Sequence, residues 1–255
     1  MRRTSVLFAA ACIVGSTQIS YGADLPVKAP AYAPVAMYNW TGFYVGGQVG
    51  GAWASSTQTA VDPTGAFLAG TVLNPTTPSG VLGGIYGGYN YQFNQMLVGI
   101  DADYSWVSLS GGSATDLSNT GIAGGRTTTG SANVKWLATV TGRVGYVINN
   151  NWLLFGKGGW AWSSWTGSST TINSTTLALA STGSSSTNRN GWTLGTGVEW
   201  GFAAHWSAKL EYDYVHFNTV SYNATDTSAL GVVTTPAKSA TSYMNIVKAG
   251  VAYRF

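Results

Sequence analysis

Wherever two or more charged residues fall within one alternating stretch of this chain, they lie an even number of positions apart. Asp101 and Asp103 do so, as do Lys135 and Arg143, Lys209, Glu211 and Asp213, and Lys248 and Arg254. Residues two apart in an extended strand share a face. Random facing would give these five agreements in roughly one case in thirty. The opposite positions are apolar or aromatic: Met96, Val98, Ile100, Tyr104 and Trp106 in one stretch, and Val134, Trp136, Ala138, Val140, Val144 and Tyr146 in another. Trp192, Leu194, Val198, Trp200 and Phe202 repeat the pattern in a third. Such strands need one surface away from hydrocarbon and one away from water.

Eight alternating segments are expected, at 40–53, 80–93, 96–107, 132–147, 151–162, 190–202, 205–215 and 242–255. Tight turns at Asn94-Gln95, Ile148-Asn149-Asn150 and Ala203-Ala204 alternate with the long Gly/Ser/Thr/Asn-rich stretches 54–79, 108–131, 163–189 and 216–241. Membrane barrels are built in this rhythm, with short periplasmic turns and long outer loops. The fold class is therefore all-β: an eight-stranded antiparallel up-and-down transmembrane β-barrel of the outer-membrane type. A basic side chain facing lipid at the bilayer midplane costs about 2–4 kcal/mol. The charges thus belong in the lumen: Asp101, Asp103, Glu199, Glu211 and Asp213 against Lys135, Arg143, Lys157, Lys209, Lys248 and Arg254. Leu97, Leu137, Phe155, Ile246, Tyr44 and Tyr86 fall on the same inward face and are expected to be buried there as core.

Composition excludes the competing classes. Only 8% of residues are charged, against 34 Gly, 11 Trp and 14 Tyr, where a soluble domain carries about 25% charge. Mean hydropathy is only +0.09 and there is no long apolar run, which rules out a helical membrane protein but not a barrel. No Lys/Arg cluster could track nucleic acid. Aromatics bracket the strands: Phe43, Tyr91, Phe93, Tyr146, Trp152, Trp200, Trp206 and Phe255 at one end, and Trp53, Trp106, Trp136, Trp160, Trp162, Trp192, Tyr214 and Tyr243 at the other. Amphipathic rings suit the headgroup level of a bilayer.

The first residues differ in kind. Arg2 and Arg3 precede a short apolar run, Val6 to Val14, and then Ser20-Tyr21-Gly22. This is the layout of a secretory signal over 1–22, cut after Gly22, or alternatively after Ala23. Pro26, Pro30 and Pro34 make 23–39 an extended Pro-rich periplasmic linker, and 40–255 is assigned to the barrel. The single cysteine, Cys12, lies in the signal, so disulfide and thiolate chemistry are not expected.

The chain closes Gly250-Val251-Ala252-Tyr253-Arg254-Phe255. Gly250, Tyr253 and Phe255 resemble the final-strand signal read by the bacterial barrel-assembly machinery. Ala23-Asp24-Leu25-Pro26, Asn39-Trp40-Thr41-Gly42-Phe43-Tyr44-Val45-Gly46-Gly47, Gly156-Lys157-Gly158-Gly159-Trp160-Ala161 and Glu211-Tyr212-Asp213-Tyr214 add further matches along the chain. Together they resemble the small alphaproteobacterial outer-membrane proteins, a porin-like group with an OmpA-like barrel domain. The resemblance implies a Gram-negative outer-membrane location, long loops outside, both termini periplasmic, and contact with outer-membrane lipid and lipopolysaccharide. In a departure from the family pattern, no peptidoglycan-binding domain is expected after the last strand. Ala249 departs from the polar residue usual before the terminal-signal glycine.

An eight-stranded interior is just wide enough to fill with side chains, so paired lumen charges are favoured over a hydrated ion path. Catalysis is not expected. His205 lies by a periplasmic turn and His216 at the outer end of its strand, too far apart for a triad. No metal site or cofactor is expected either. The primary expectation is a non-enzymatic barrel that supports the envelope and displays surface loops. The alternatives are a narrow porin-like channel, or loops that bind a ligand or host surface. Glycines such as Gly83, Gly84, Gly87, Gly88, Gly195 and Gly197 are expected to make room for large lumen side chains rather than to bind phosphate.

Overall fold

The computed structural model describes residues 38–60, 72–116, 126–173, 179–228 and 231–255. The signal at 1–22 and the linker up to residue 37 lie outside them. Among the described residues one antiparallel sheet contains β1 (Gly42–Ala60), β2 (Val72–Thr76), β3 (Ser79–Phe93), β4 (Met96–Asp116), β5 (Arg126–Ile148), β6 (Trp152–Asn173), β7 (Leu179–Ala203), β8 (Trp206–Phe217), β9 (Val220–Ser228) and β10 (Gly231–Arg254). Eight of these form the wall, in the order β1-β3-β4-β5-β6-β7-β8-β10. Pairing of β1 with β10 closes it, with Tyr44 opposite Arg254 and the Phe255 amide donating to the Phe43 carbonyl at 3.0 Å. Closure satisfies every wall strand on both sides, which a spanning sheet in hydrocarbon requires.

Three connections are tight, as the sequence indicates. Phe93 pairs with Met96, Ile148 with Trp152 and Ala203 with Trp206. Asn94, Asn149 and Asn150 take positive φ of 54°, 46° and 64° there, a region Asn tolerates better than most residues. The third turn is Ala204-His205, one position later than the spacing suggests.

The opposite end departs further from expectation. Much of the four stretches assigned to loops is strand: β4 and β5 stay paired from Met96↔Tyr146 out to Asp116↔Thr127, and β6 and β7 from Trp152↔Trp200 out to Ile172↔Leu179. β2 pairs the outer part of β1, and β9 packs between β10 and β7. The reason lies in what alternation records. It reports the contrast between a lipid face and a core face, and in these Ser/Thr-rich stretches that contrast is carried only by a few residues next to the wall, such as Leu109, Trp165 and Phe217. One cross-strand hydroxyl pair there, Ser131–Ser168, is 2.7 Å apart.

Outward residues of the wall are apolar and exposed, among them Phe43, Val49, Val81, Ile100, Val144, Trp160, Leu194 and Leu210. Two aromatic belts bound them. On β7, Trp192 and Trp200 are eight positions apart, and on β6 so are Trp160 and Trp152. At about 3.3 Å per residue and a strand tilt near 40°, that separation is about 20 Å along the membrane normal. Cross-strand contacts knit each belt, including Trp152 on Trp200 at 5.8 Å and Tyr104 on Trp136 at 6.2 Å.

Inward glycines leave room for bulky lumen groups. A Cβ on Gly197 would stand 2.7 Å from the Phe155 ring and 2.5 Å from the Leu210 carbonyl oxygen, and one on Gly46 would stand 2.7 Å from Tyr86. Gly197→Val should therefore lower barrel stability by about 1–3 kcal/mol through overpacking. Urea unfolding from lipid vesicles measures this, and an unchanged midpoint would contradict the packing described.

Candidate functional site: a charged layer between two apolar seals

Inward positions of the wall form layers across the lumen. Nearest the long hairpins, Ala52, Ala54, Leu82, Val107, Leu109, Val134, Leu137, Ala161, Trp165, Val215, Phe217, Met244 and Ile246 make one continuous apolar cluster. At the turn end a second cluster gathers Leu97, Val147, Leu153 and Phe155 with Tyr38 and Trp40. The last two precede β1. The residues 38 and 39, assigned from sequence to the linker, thus include a buried Tyr38 beneath the barrel, and Trp40 is fully buried beside it.

Between these clusters lie the charges. Lys157 on β6 reaches across the lumen, its Nζ 2.7 Å from Glu211, 3.5 Å from Asp101, 3.6 Å from Asp213 and 3.9 Å from Asp103. Lys248 on β10 sits 2.6 Å from Asp103, 2.7 Å from Asp213 and 3.0 Å from Glu211. Lys209 donates to Glu211 at 3.1 Å and lies 3.6 Å above the Tyr86 ring. Nearer the turns, Glu199 accepts from Arg143 and from Ser207 at 2.6 Å, with Arg254 3.5 Å away. Tyr44 bridges the two groups by donating to Asp101 at 2.7 Å.

All these side chains are buried. Five acids, Asp101, Asp103, Glu199, Glu211 and Asp213, meet five bases, Arg143, Lys157, Lys209, Lys248 and Arg254. A buried charge with a single partner is expensive; here most have several, and aromatic faces add more. Arg143 stacks 3.8 Å from the Phe155 ring. Arg254 donates to the Trp40 carbonyl and lies between 5.2 and 5.7 Å from the rings of Tyr44, Trp40 and Tyr38. One residue of the last strand thereby holds the segment before the first.

Lys135 does not join this layer. Between Trp106 and Leu109 of β4, and between Val134 and Trp136 of β5, the register shifts. The bulge reverses the parity of β5 above it, so Val134 is buried in the lumen and Lys135 is exposed on the outer wall. Two expectations are corrected together: the pairing of Lys135 with Arg143 on one face, and Val134 on the lipid face. An even spacing implies a shared face only when no bulge intervenes.

Arg189 falls in the stretch 163–189 that the sequence assigns to a loop. It is buried at the outer end of β7, where its guanidinium donates to Ser242 and lies 4.8 Å from the Trp165 ring. A signal for it exists in the sequence, since Arg189 is ten positions from Glu199 and so shares its parity.

The oxygens of Asp103, Glu211 and Asp213 converge within 4.8 Å, close enough to hold a cation. The ammonium groups of Lys157 and Lys248 already occupy that position, so the donor set is matched by the protein's own charges. The histidines are separated as expected. His205 lies in a turn against Tyr253, while His216 stacks on Trp192 in the outer belt. The eleven positions between them correspond to about 35 Å of strand. Gly250 faces inward, whereas Tyr253 and Phe255 point outward and meet edge to face at 5.2 Å.

A closed antiparallel barrel with an apolar outer wall, two aromatic belts and a charged interior is an integral membrane barrel. Residues 26–255 match the model of the outer membrane protein beta-barrel domain family, and the chain belongs to that family. It is 30% identical over 217 residues to the 31 kDa outer-membrane immunogenic protein of Brucella melitensis, covering 82% of this chain and 85% of that one. The 22 kDa outer membrane protein of Rhizobium leguminosarum bv. viciae is 26% identical, over 72% of this chain and 68% of its own. Among solved structures, the outer membrane protease OmpT of Escherichia coli superposes with a TM-score of 0.47 at 10% identity, covering 86% and 98% of the two chains. The chain is thus a Gram-negative outer-membrane barrel of alphaproteobacterial type, with its tight turns periplasmic and its long hairpins outside.

Removing one partner from the charge layer leaves buried charge uncompensated. Lys248→Met should cost about 3–5 kcal/mol, whereas exposed Lys135→Met should fall within about 0.5 kcal/mol of wild type. Parallel urea titrations of the two variants in vesicles check this. Equal losses would place both lysines in the same environment and refute the reversal at the bulge.

Proposed function

We propose that the protein is a non-enzymatic scaffold of the outer membrane, which supports the envelope and displays its long hairpins at the cell surface. What carries this reading is the order of the lumen layers. The charged groups that could guide an ion are paired with one another, with an apolar cluster above them and an aromatic floor below. An ion path needs water or polar groups to replace the ion's hydration along its length, and hydrophobic constrictions close pores by dewetting. The Brucella relative is named as immunogenic, which suits a protein whose hairpins face outward. The outer wall and belts are suited to outer-membrane lipid and lipopolysaccharide. Gly250, Tyr253 and Phe255 would be read by the barrel-assembly machinery before the wall closes, when the outward Tyr253 and Phe255 are still on an open edge. The alternative is a narrow channel, in which the Lys157 and Lys248 clusters would hydrate and set ion preference.

Single-channel recording of the refolded protein in a planar bilayer separates the two. The scaffold reading predicts a silent barrel. Reproducible conductance steps whose selectivity changes in Lys157→Gln would overturn it and establish the lumen as the pathway.

A further inference from the structure

Twelve charged side chains are described in the barrel, and eleven of them are buried inside it. The exception is Lys135, and the wall departs from regular pairing to put it there. The bulge at this position shifts the register of β5 against both neighbours. Bulges of this kind re-aim a side chain, and here the side chain leaves an interior where its sequence parity would have placed it. Without the bulge, its ammonium would enter the outer apolar cluster between Val134 and Leu137, at the level of the already buried base Arg189 and away from the five acids of the charge layer.

The surroundings on the outside are specific. Trp106 and Trp136 are paired across β4 and β5 beside Lys135, and Tyr104 stacks on Trp136 at 6.2 Å and meets Trp106 edge to face at 5.2 Å. These rings belong to the outer aromatic belt. Immediately beyond lie exposed Ser108 and Asn133 and then the hydroxyl-bearing hairpins. An ammonium at this depth can lay its apolar stem against neighbouring rings and present its charge at the headgroup level. A lipid bilayer offers one abundant partner of opposite charge at that height, the phosphate of an anionic headgroup, with its acyl chains lying against the exposed indoles below.

We propose that Lys135, with Trp106, Trp136 and Tyr104, forms a binding site on the barrel's outer wall for the phosphate of an anionic lipid of the outer leaflet. The site rests on the reading of the chain as a membrane-inserted barrel. It selects by charge rather than by headgroup identity, and the bulge is the device that creates it.

The test uses the full protein refolded into phosphatidylcholine bilayers containing spin-labelled phosphatidylglycerol or spin-labelled phosphatidylcholine. The motionally restricted fraction in each gives the preference for the anionic lipid. One basic group near the surface is expected to contribute about fivefold to local association. Lys135→Gln should therefore lose about that factor, Lys135→Arg should keep it, and phosphatidylcholine should be unaffected throughout. Excess inorganic phosphate should not displace the labelled lipid. Preference unchanged in Lys135→Gln, or lost equally in Lys135→Arg, overturns the site; displacement by inorganic phosphate would instead make it a free-anion site. Heat-modifiable migration of each variant reports insertion separately. A folded, inserted barrel without lipid preference rejects the lipid site alone, and a protein that never becomes heat-modifiable rejects the membrane-barrel reading itself.

Discussion

Charge that can face neither hydrocarbon nor solitary burial governs this barrel. Hydrocarbon outside excludes it from the wall, and the narrow eight-stranded interior admits it only with partners at hand. Lys157 and Lys248 meet this condition by sharing Asp103, Glu211 and Asp213 between them. Arg143 and Arg254 do the same around Glu199. These contacts run between strands far apart in sequence, so the layer can form only in a closed wall. The ion pairs therefore act less as individual stabilisers than as a requirement that all eight strands be in register.

The apolar layers on either side follow from the same constraint. Water reaching the charges would weaken their mutual attraction by raising the local dielectric. The Trp165–Phe217 contact, with ring centroids 5.7 Å apart, belongs to the outer seal, and Tyr38 and Trp40 to the inner one. Arg254 couples the two themes, since it belongs to the charge layer and also grips the residues that floor the barrel. Chain closure and lumen sealing are in this way one event.

Most of the wall was legible because a membrane imposes a strict contrast on each strand. Asp101 and Asp103 on one strand, or Lys209, Glu211 and Asp213 on another, announce an inward face through spacing alone, and the structure buries each of them. The same rule led astray at Lys135. A bulge inserts one residue without altering composition, so nothing in the local sequence marks the reversal. The outer hairpins were invisible for a different reason: the paired segments Thr127–Ser131 and Ser168–Ile172 are almost wholly Ser, Thr and Gly in sequence, so they show no alternation of apolar and polar residues. Arg189 and Tyr38 lie in segments whose composition resembles loop and linker and gives no strand alternation to follow. What carries the candidate site was thus largely readable, while its seals and the one outward charge among the described side chains, Lys135, needed three dimensions.

The central claim is that the charge layer is dry and closed from both ends. Thr139 lies in that layer opposite Asp103, and it is buried. In a Cys12→Ser background, Thr139→Cys should resist a small charged methanethiosulfonate reagent in the folded barrel and react once the protein is unfolded in urea. A Ser108→Cys control on the exposed outer wall should react in both states. Labelling of Cys at 139 in the folded barrel at a rate close to that of the control would mean water fills the lumen, and the account of a sealed, charge-paired core would fail.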